Sequence, residues 1–314
     1  MKKIKVLICG ASGFIGRNIA ERLAERDDLK VYGTYFTTKP SIKGISLTRV
    51  DLTRESEVSQ IVKGMDIVIQ AAAVTSGSRD IVSKPYLHVT DNAIMNSLIF
   101  KSCFDYKVKH VVFFSCTVMY PSKNTPVKEQ DFNYEITGKY FGVGWTKVYL
   151  EKMCEFYSRI GDTKYTVIRH SNIYGPHDKY DLDKSHFFGA TITKVLNARN
   201  EKILVWGDGS EKRDLLYVSD LVDFVEVILK KQKDPFELIN IGLGKAYSVK
   251  DVVGKIIEIS GKKIKLEFDT TKPTIKFNLA VNIEKAQKKY NFRPKISLEE
   301  GIKNTISWYK ENIL

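Results

Sequence analysis

The segment Lys5 to Cys9 is a short apolar run that stops at Gly10, and the following RNIAERLAERDD repeats its apolar positions at helical spacing. The chain therefore opens strand, turn, helix. Further buried-strand patterns are LKVYGTYF, DIVIQAAA after Gly64, VKHVVFFSC and KYTVIRHSNIYG. Helical patterns from Thr90 to Phe104 and from Thr146 to Ile160 lie between them. Apolar strands alternating with helices imply a parallel sheet covered on both faces. The expected fold is α/β, a Rossmann-type doubly wound parallel sheet.

After NIYGPHDKYD the alternation loosens. Helices are predicted at Phe187 to Ala198, Ser219 to Lys230, Ser248 to Ser260 and Leu298 to Asn312, with short strands at KILVWG, ELINIG and KIKLEF. Residues 1–175 are assigned to the main, dinucleotide-binding domain and 176–314 mainly to a smaller α/β substrate-binding region, with segments at about 215–245 returning to the main domain. No internal repeat or low-complexity linker interrupts this organisation.

Composition narrows the class. With 43% apolar and 28% charged residues the chain reads as a soluble globular protein, and 314 residues suffice for a sizeable core. The net charge of +13 is spread along the sequence, so a lysine-rich solvated surface is expected rather than nucleic-acid binding, with attraction of an anionic ligand as a further possibility. No run approaches the roughly 18 apolar residues of a membrane span, and the apolar start is too short and glycine-broken for a signal peptide. Cys9, Cys103, Cys116 and Cys154 are widely spaced, which suggests neither a metal site nor a disulfide framework. Reduced thiols and a cytoplasmic location are expected.

The segment GASGFIG, with Gly10, Gly13 and Gly16, lies between the first strand and the first helix. Glycines there permit a tight turn and the close approach of a pyrophosphate, whose charge meets backbone N–H groups at the helix start. Ser12, Phe14 and Ile15 complete the candidate cofactor loop. At the end of the second strand, where a carboxylate or a cation usually separates NAD from NADP, stand Tyr35 and Phe36, with Lys39 the nearest cation. NAD is the expected cofactor and NADP stays open. Asp51 and Leu52 after the third strand, and the small residues Ala71, Ala72 and Ala73, are further candidates for the cofactor wall.

Together GASGFIG, AAAV, SCTVMYP, TKVYLEK, RHSNIYGPHDKYDLDKSH and WGDGSEKRDLLYVSDL resemble the extended short-chain dehydrogenase/reductase family, over nearly the whole chain. The resemblance is closest to its GDP-L-fucose synthase-like, GDP-sugar branch. It implies a redox site built from a Ser or Thr, a Tyr and a Lys, in which the Lys holds the nicotinamide ribose and lowers the Tyr pKa. Lys147 matches the Lys, whereas the Tyr position is Val143 and the Ser/Thr position is Cys116, flanked by Ser115 and Thr117. An aliphatic side chain carries no proton.

His186 matches a His that exchanges sugar protons in that branch, and the partner Cys position is Val118. On the substrate side Arg213 matches an Arg facing the diphosphate, Asn172 the Asn of the NxYGP motif, Trp206 a Trp of the nucleotide pocket and Lys194 a basic substrate position. Candidates to replace the missing acid are Tyr140, three residues before Val143, together with Thr117, Tyr120 and His186. For Tyr120 a packing role with a bonded hydroxyl is the favoured reading. Gly142 and Gly144 weaken a helix there, which leaves Tyr140 in the preceding loop.

Three functions follow as expectations. The first is an NAD(P)-dependent oxidoreductase acting at C4 of a GDP-linked manno-type hexose or heptose for surface-glycan biosynthesis. The second is an epimerase/reductase of the fucose synthase kind, and the third a cofactor-bound, weakly catalytic nucleotide-sugar-binding subunit. The resemblance also implies a homodimer paired through DNAIMNSLIFKSCF and TKVYLEKMCEFYSRI.

Overall fold

The structure, a computed structural model, describes residues 2–75, 83–136, 138–182, 185–199, 202–271 and 278–314. The chain begins with β1 (Ile4–Cys9), α1 (Phe14–Ala24), β2 (Leu29–Tyr35), β3 (Ser46–Arg49), α2 (Glu55–Val62) and β4 (Ile67–Gln70). It continues with α3 (Thr90–Asp105), β5 (His110–Phe114), α4 (Phe141–Ile160), β6 (Lys164–His170) and β7 (Asn172–Tyr174). The second half holds α5 (Phe187–Leu196), β8 (Lys202–Trp206), β9 (Lys212–Tyr217), α6 (Val218–Lys231) and β10 (Phe236–Ile241). The last elements are β11 (Ala246–Ser248), α7 (Val249–Ser260), β12 (Lys265–Asp269), α8 (Glu284–Tyr290) and α9 (Leu298–Asn312).

Seven strands form one parallel sheet in the order β10-β6-β5-β4-β1-β2-β3. Along β1 the side chains alternate between two cores, as the two-residue period of a strand requires. Val6 and Ile8 pack with Ile19, Leu23, Leu221 and Phe224 from α1 and α6. Leu7 and Cys9 pack with Val58, Ile99, Phe100 and Leu150 from α2, α3 and α4. Each such side chain, fully buried, contributes about 1.5–3 kcal/mol. Two smaller sheets, β11-β9-β7 and β12-β8, cover a third core with α5, α7 and α9.

Two differences from the sequence pattern matter for the site. The run KYTVIRHSNIYG is two strands: β6 ends at His170 in the large sheet, and β7 begins at Asn172 beside β9 in a small one. Only Ser171 separates them, so the apolar pattern passes from one sheet to the other without a break. The second difference is at α4, which starts at Phe141 and runs through Gly142 and Gly144. A Cβ on Gly142 would stand 2.9 Å from a methyl of Val89, and one on Gly144 would stand 2.9 Å from a methyl of Ile136. The glycines admit these close neighbours, and packing outweighs their poor helix propensity.

Candidate active site

In an open parallel sheet the crevice lies beyond the carboxyl ends of the strands. At the end of β1, Gly10 takes φ +79°, a left-handed conformation that suits glycine. A Cβ there would stand 2.7 Å from the Cα of Ala72, and one on Gly16 would stand 2.2 Å from the carbonyl oxygen of Gly10. Gly13 N–H donates to that same oxygen at 2.9 Å, and α1 starts at Phe14 without a side-chain cap. The loop is thus tied off beneath a helix start whose first N–H groups face outward, which fits the pyrophosphate of a dinucleotide. Ser12 and Gly13 are exposed at this mouth, and Phe14 and Ile15 are half-buried. Ala71 and Ala72 are half-buried and Ala73 exposed along the adjoining β4 exit.

Asp51 spends its carboxylate on its own turn: one oxygen accepts from the N–H and hydroxyl of Thr53 at 3.0 and 2.6 Å, and the other meets Arg54 at 3.3 Å. Those bonds hold its pKa below the usual carboxylate range. Leu52 is buried in the core shared with α2 and α3. At the end of β2 the structure places Arg49, a cation the local sequence does not single out. Arg49 stands opposite Tyr35 in the β2–β3 ladder, and its Nε donates to the Phe36 carbonyl oxygen at 3.0 Å.

Lys147 lies on α4, and its Nζ donates to the Phe114 carbonyl oxygen at 2.8 Å while resting 4.7 Å from the Phe113 ring centroid. Burial lowers its pKa, and Cys116 and Glu151 oppose that shift. Val143 is half-buried on the same helix, one turn earlier. Behind the lysine, Arg169 is fully inside and donates from Nε and Nη2 to the two oxygens of Glu151 at 3.0 and 2.6 Å. Ser115 donates to Glu151 at 2.5 Å, so its hydroxyl turns inward, away from the crevice. This pair pins α4 to β5 and β6, and removing one partner of such a buried pair costs about 3–5 kcal/mol.

Cys116 is half-buried at the end of β5, where burial raises its thiol pKa and the Lys147 charge lowers it. Thr117 is buried beside it. Tyr140 closes a short 3-10 turn at the first step of α4 rather than standing in an open loop. Burial raises its pKa, the Arg213 charge opposes this, and Cys116 acts in the same direction as burial. Tyr140 thus bridges the electrostatic surroundings of Cys116, on the sheet, and Arg213, on β9. Tyr120 is buried, donates to Asn240 Oδ1 at 2.7 Å and accepts from Arg169 at 2.9 Å, which is a structural role.

Arg213 is half-buried opposite Tyr247, and Asn172 on β7 is exposed with its Nδ2 donating to the Asp214 carbonyl oxygen at 3.2 Å. His186 immediately precedes α5 and is accessible to solvent. Enough protein surrounds its ring to hold its pKa below the ordinary value, and Lys179 and His88 add to the effect. The motif residues Asp183 and Lys184 lie outside the described residues. Lys194 and Trp206 share a separate groove of about 390 Å3, with Arg199, Lys202 and Leu204. Three cations beside an exposed indole suit an anionic, ring-bearing ligand. Lys194 donates to the Leu204 carbonyl oxygen at 3.4 Å.

Residues 6–242 match the model of the NAD dependent epimerase/dehydratase family. The chain belongs to that family. Among relatives, it is 25% identical over 315 residues to GDP-L-colitose synthase of Yersinia pseudotuberculosis, covering 98% of each chain. It is 29% identical over 320 residues to GDP-L-fucose synthase of Azorhizobium caulinodans, covering 97% of this chain and 96% of that one. The UDP-glucose 4-epimerase of Thermotoga maritima, solved with UDP-glucose, superposes with a TM-score of 0.88 at 24% identity, covering 99% of this chain and 100% of that chain. MoeE5 in complex with UDP-glucuronic acid and NAD gives a TM-score of 0.86 at 22% identity, covering 98% and 100%. At such identities the two structures establish a shared fold. The family and the relatives make this an epimerase/reductase-type protein of nucleotide-sugar chemistry with a nicotinamide dinucleotide as its family cofactor.

Proposed function

We propose that this family member is an NAD(P)-dependent oxidoreductase that oxidises or reduces C4 of a GDP-linked manno-type hexose or heptose in surface-glycan biosynthesis. The observation that carries it is the anchoring of Lys147 to the Phe114 carbonyl at the end of β5, two residues before Cys116. The colitose and fucose synthases among its relatives support a GDP-linked substrate.

A nicotinamide dinucleotide held along the glycine loop supplies the hydride donor or acceptor. Lys147 offers a fixed positive charge for the ribose hydroxyls, and desolvation strengthens every polar contact it makes. Val143 takes no part in proton transfer. Tyr140 is the group we assign to the proton on the sugar oxygen, because it stands at the first step of α4, three residues before the aliphatic Val143. Arg213 carries the diphosphate through its planar fork. Cys116 positions the sugar oxygen with a weak S–H bond. Lys194 and Trp206 take the nucleotide end, Asn172 the sugar, and the protein acts as a homodimer. Exposed Tyr149, Phe156 and Ile160 on α4 and Ile94 on α3 supply the apolar face for that pairing.

The test is a near-ultraviolet spectrum of the purified chain with NAD or NADP, followed by GDP-mannose and GDP-manno-heptose in turn. Growth of the reduced-nicotinamide band with one sugar is the expected result. A chain that binds no nicotinamide dinucleotide, or binds it and oxidises and reduces no GDP-sugar, would overturn the proposal.

A further inference from the structure

Immediately before β9 lies a buried carboxylate to which the proposed function gives no role. The carbonyl oxygen of Glu211 accepts from the N–H of Val249 at 2.8 Å, one step beyond the Lys212–Ser248 pair of the β9–β11 ladder. Strand alternation therefore extends to Glu211, which shares a face with Arg213 and Leu215. Its side chain belongs to a residue only 5% exposed, and among the described residues its Oε2 meets no hydrogen-bond partner. A buried carboxylate oxygen is costly to hold unless a ligand supplies the donor.

The same face sets an order of groups along β9. Asn172, exposed on β7, stands opposite Leu215 in the parallel ladder. Half-buried Arg213 lies two residues back, opposite Tyr247 of β11, and Glu211 lies two further. Two residues of strand span about 6.6 Å. With Asn172 on the sugar and Arg213 on the diphosphate, Glu211 falls beyond the phosphates, on the side away from the sugar. A nucleoside diphosphate sugar presents its ribose there. The chain before Glu211 leads back in five residues to Trp206, which takes the nucleotide end.

An ionised carboxylate accepts hydrogen bonds and donates none, so it repels a phosphate and suits a hydroxyl. The 2′- and 3′-hydroxyls of a ribose are two donors on adjacent carbons, and a carboxylate offers two oxygens side by side. We propose that Glu211 accepts the 2′- and 3′-hydroxyls of the substrate's nucleoside diphosphate, so that the site selects a ribonucleotide sugar over its 2′-deoxy counterpart. This rests on the nucleotide-sugar function proposed above and specifies its nucleotide. Arg213 neutralises the adjoining phosphates while Glu211 holds the diol. A ligand without the 2′-hydroxyl leaves a buried negative charge short of a donor and close to two phosphates, which is the source of the discrimination.

The experiment titrates the full chain calorimetrically, in saturating NAD and at fixed salt, with GDP, 2′-deoxy-GDP and 3′-deoxy-GDP. GDP is expected to bind about 10–100-fold more tightly than either deoxy nucleotide, the range for a hydrogen bond to a charged group. In Glu211→Ala, GDP and 2′-deoxy-GDP are expected to bind within about twofold of each other. GDP binds more weakly there and 2′-deoxy-GDP more tightly, because a negative charge has left the neighbourhood of the phosphates. A structural role would weaken both together. Glu211→Gln keeps the size and one acceptor oxygen and is expected to fall between, and near-ultraviolet circular dichroism establishes that each variant is folded. Equal binding of all three nucleotides by the wild-type chain overturns the inference and leaves the nucleotide-sugar proposal standing. So does a preference for GDP that survives undiminished in folded Glu211→Gln. Weaker binding of GDP-mannose by Glu211→Ala with GDP unaffected also overturns it, by placing the carboxylate on the hexose. A chain that binds neither these nucleotides nor GDP-mannose overturns the nucleotide-sugar proposal itself, and this inference with it.

Discussion

Lys147 and Phe114 are joined by a 2.8 Å hydrogen bond from the ammonium to a main-chain carbonyl at the end of β5, so the charge is held by the sheet itself. Replacing Lys147 with Met keeps the stem and removes the charge. The expected outcome is a fall of about a hundredfold in kcat/KM, or about 2.7 kcal/mol of transition-state stabilisation. Fluorescence titration of NADH should show weaker binding as well. A Lys147→Met chain with unaltered binding and rate would remove this residue from the site.

Val143 and Tyr140 predict opposite responses. Val143→Tyr places a phenol one turn before Lys147, on the helix face that the lysine shares. Turnover is expected to rise about tenfold or more. Tyr140→Phe is expected to lower it by a similar factor in the native chain and to matter little once Val143→Tyr is present. The double-mutant cycle in kcat checks this, and additive effects would mean the two phenols do not serve one step.

Arg49 is expected to influence cofactor choice. Its guanidinium is fixed at the end of β2 through the Phe36 carbonyl, and it is an exposed cation suited to a 2′-phosphate. Arg49→Ala should weaken NADP binding about tenfold while leaving NAD within a factor of about two. Calorimetric titration of both cofactors gives the ratio. An unchanged ratio would return the role to Lys39.

Stability should fall in acid through His110. The ring is buried between β5 and β6 and shares a 2.8 Å hydrogen bond with Thr166, and burial lowers its pKa from 6.5 to about 4. The unfolded chain therefore binds a proton that the folded chain refuses as pH drops from 6.5 towards 4. Stability is greatest above that window and is lost within it, by about 3 kcal/mol at roughly 1.4 kcal/mol per pH unit. Urea midpoints across the window should show this slope, and His110→Gln should flatten it.

The large sheet was legible because its central strands are near-continuous apolar runs, such as Ile4–Cys9 and His110–Phe114, and buried parallel strands read that way. β3, Ser46–Arg49, was placed only as a third strand before Asp51, without bounds, because it is an edge strand with three of its four residues exposed. α2 escaped because only Val58 and Val62 of its eight residues are buried. In the site, the glycine loop and Lys147 announce themselves by local spacing. Arg49 does not, since its place depends on a ladder register with Tyr35. Local pattern carries chemistry that lies along one turn, and it is silent about side chains that meet across strands.

The single residue between β6 and β7 has a practical consequence for anyone wishing to divide the protein. A fragment ending near residue 175 keeps β6 but discards β10, its neighbour in the sheet from Phe236–Tyr165 to Ile241–His170. It also discards α6, whose Leu221, Phe224 and Val225 cover one face of that sheet. The fragment would expose a long apolar strand edge, a ready template for pairing with other copies. Expressed alone it should aggregate, whereas a circular permutant that retains β10 beside β6 should stay monodisperse enough to test cofactor binding by itself.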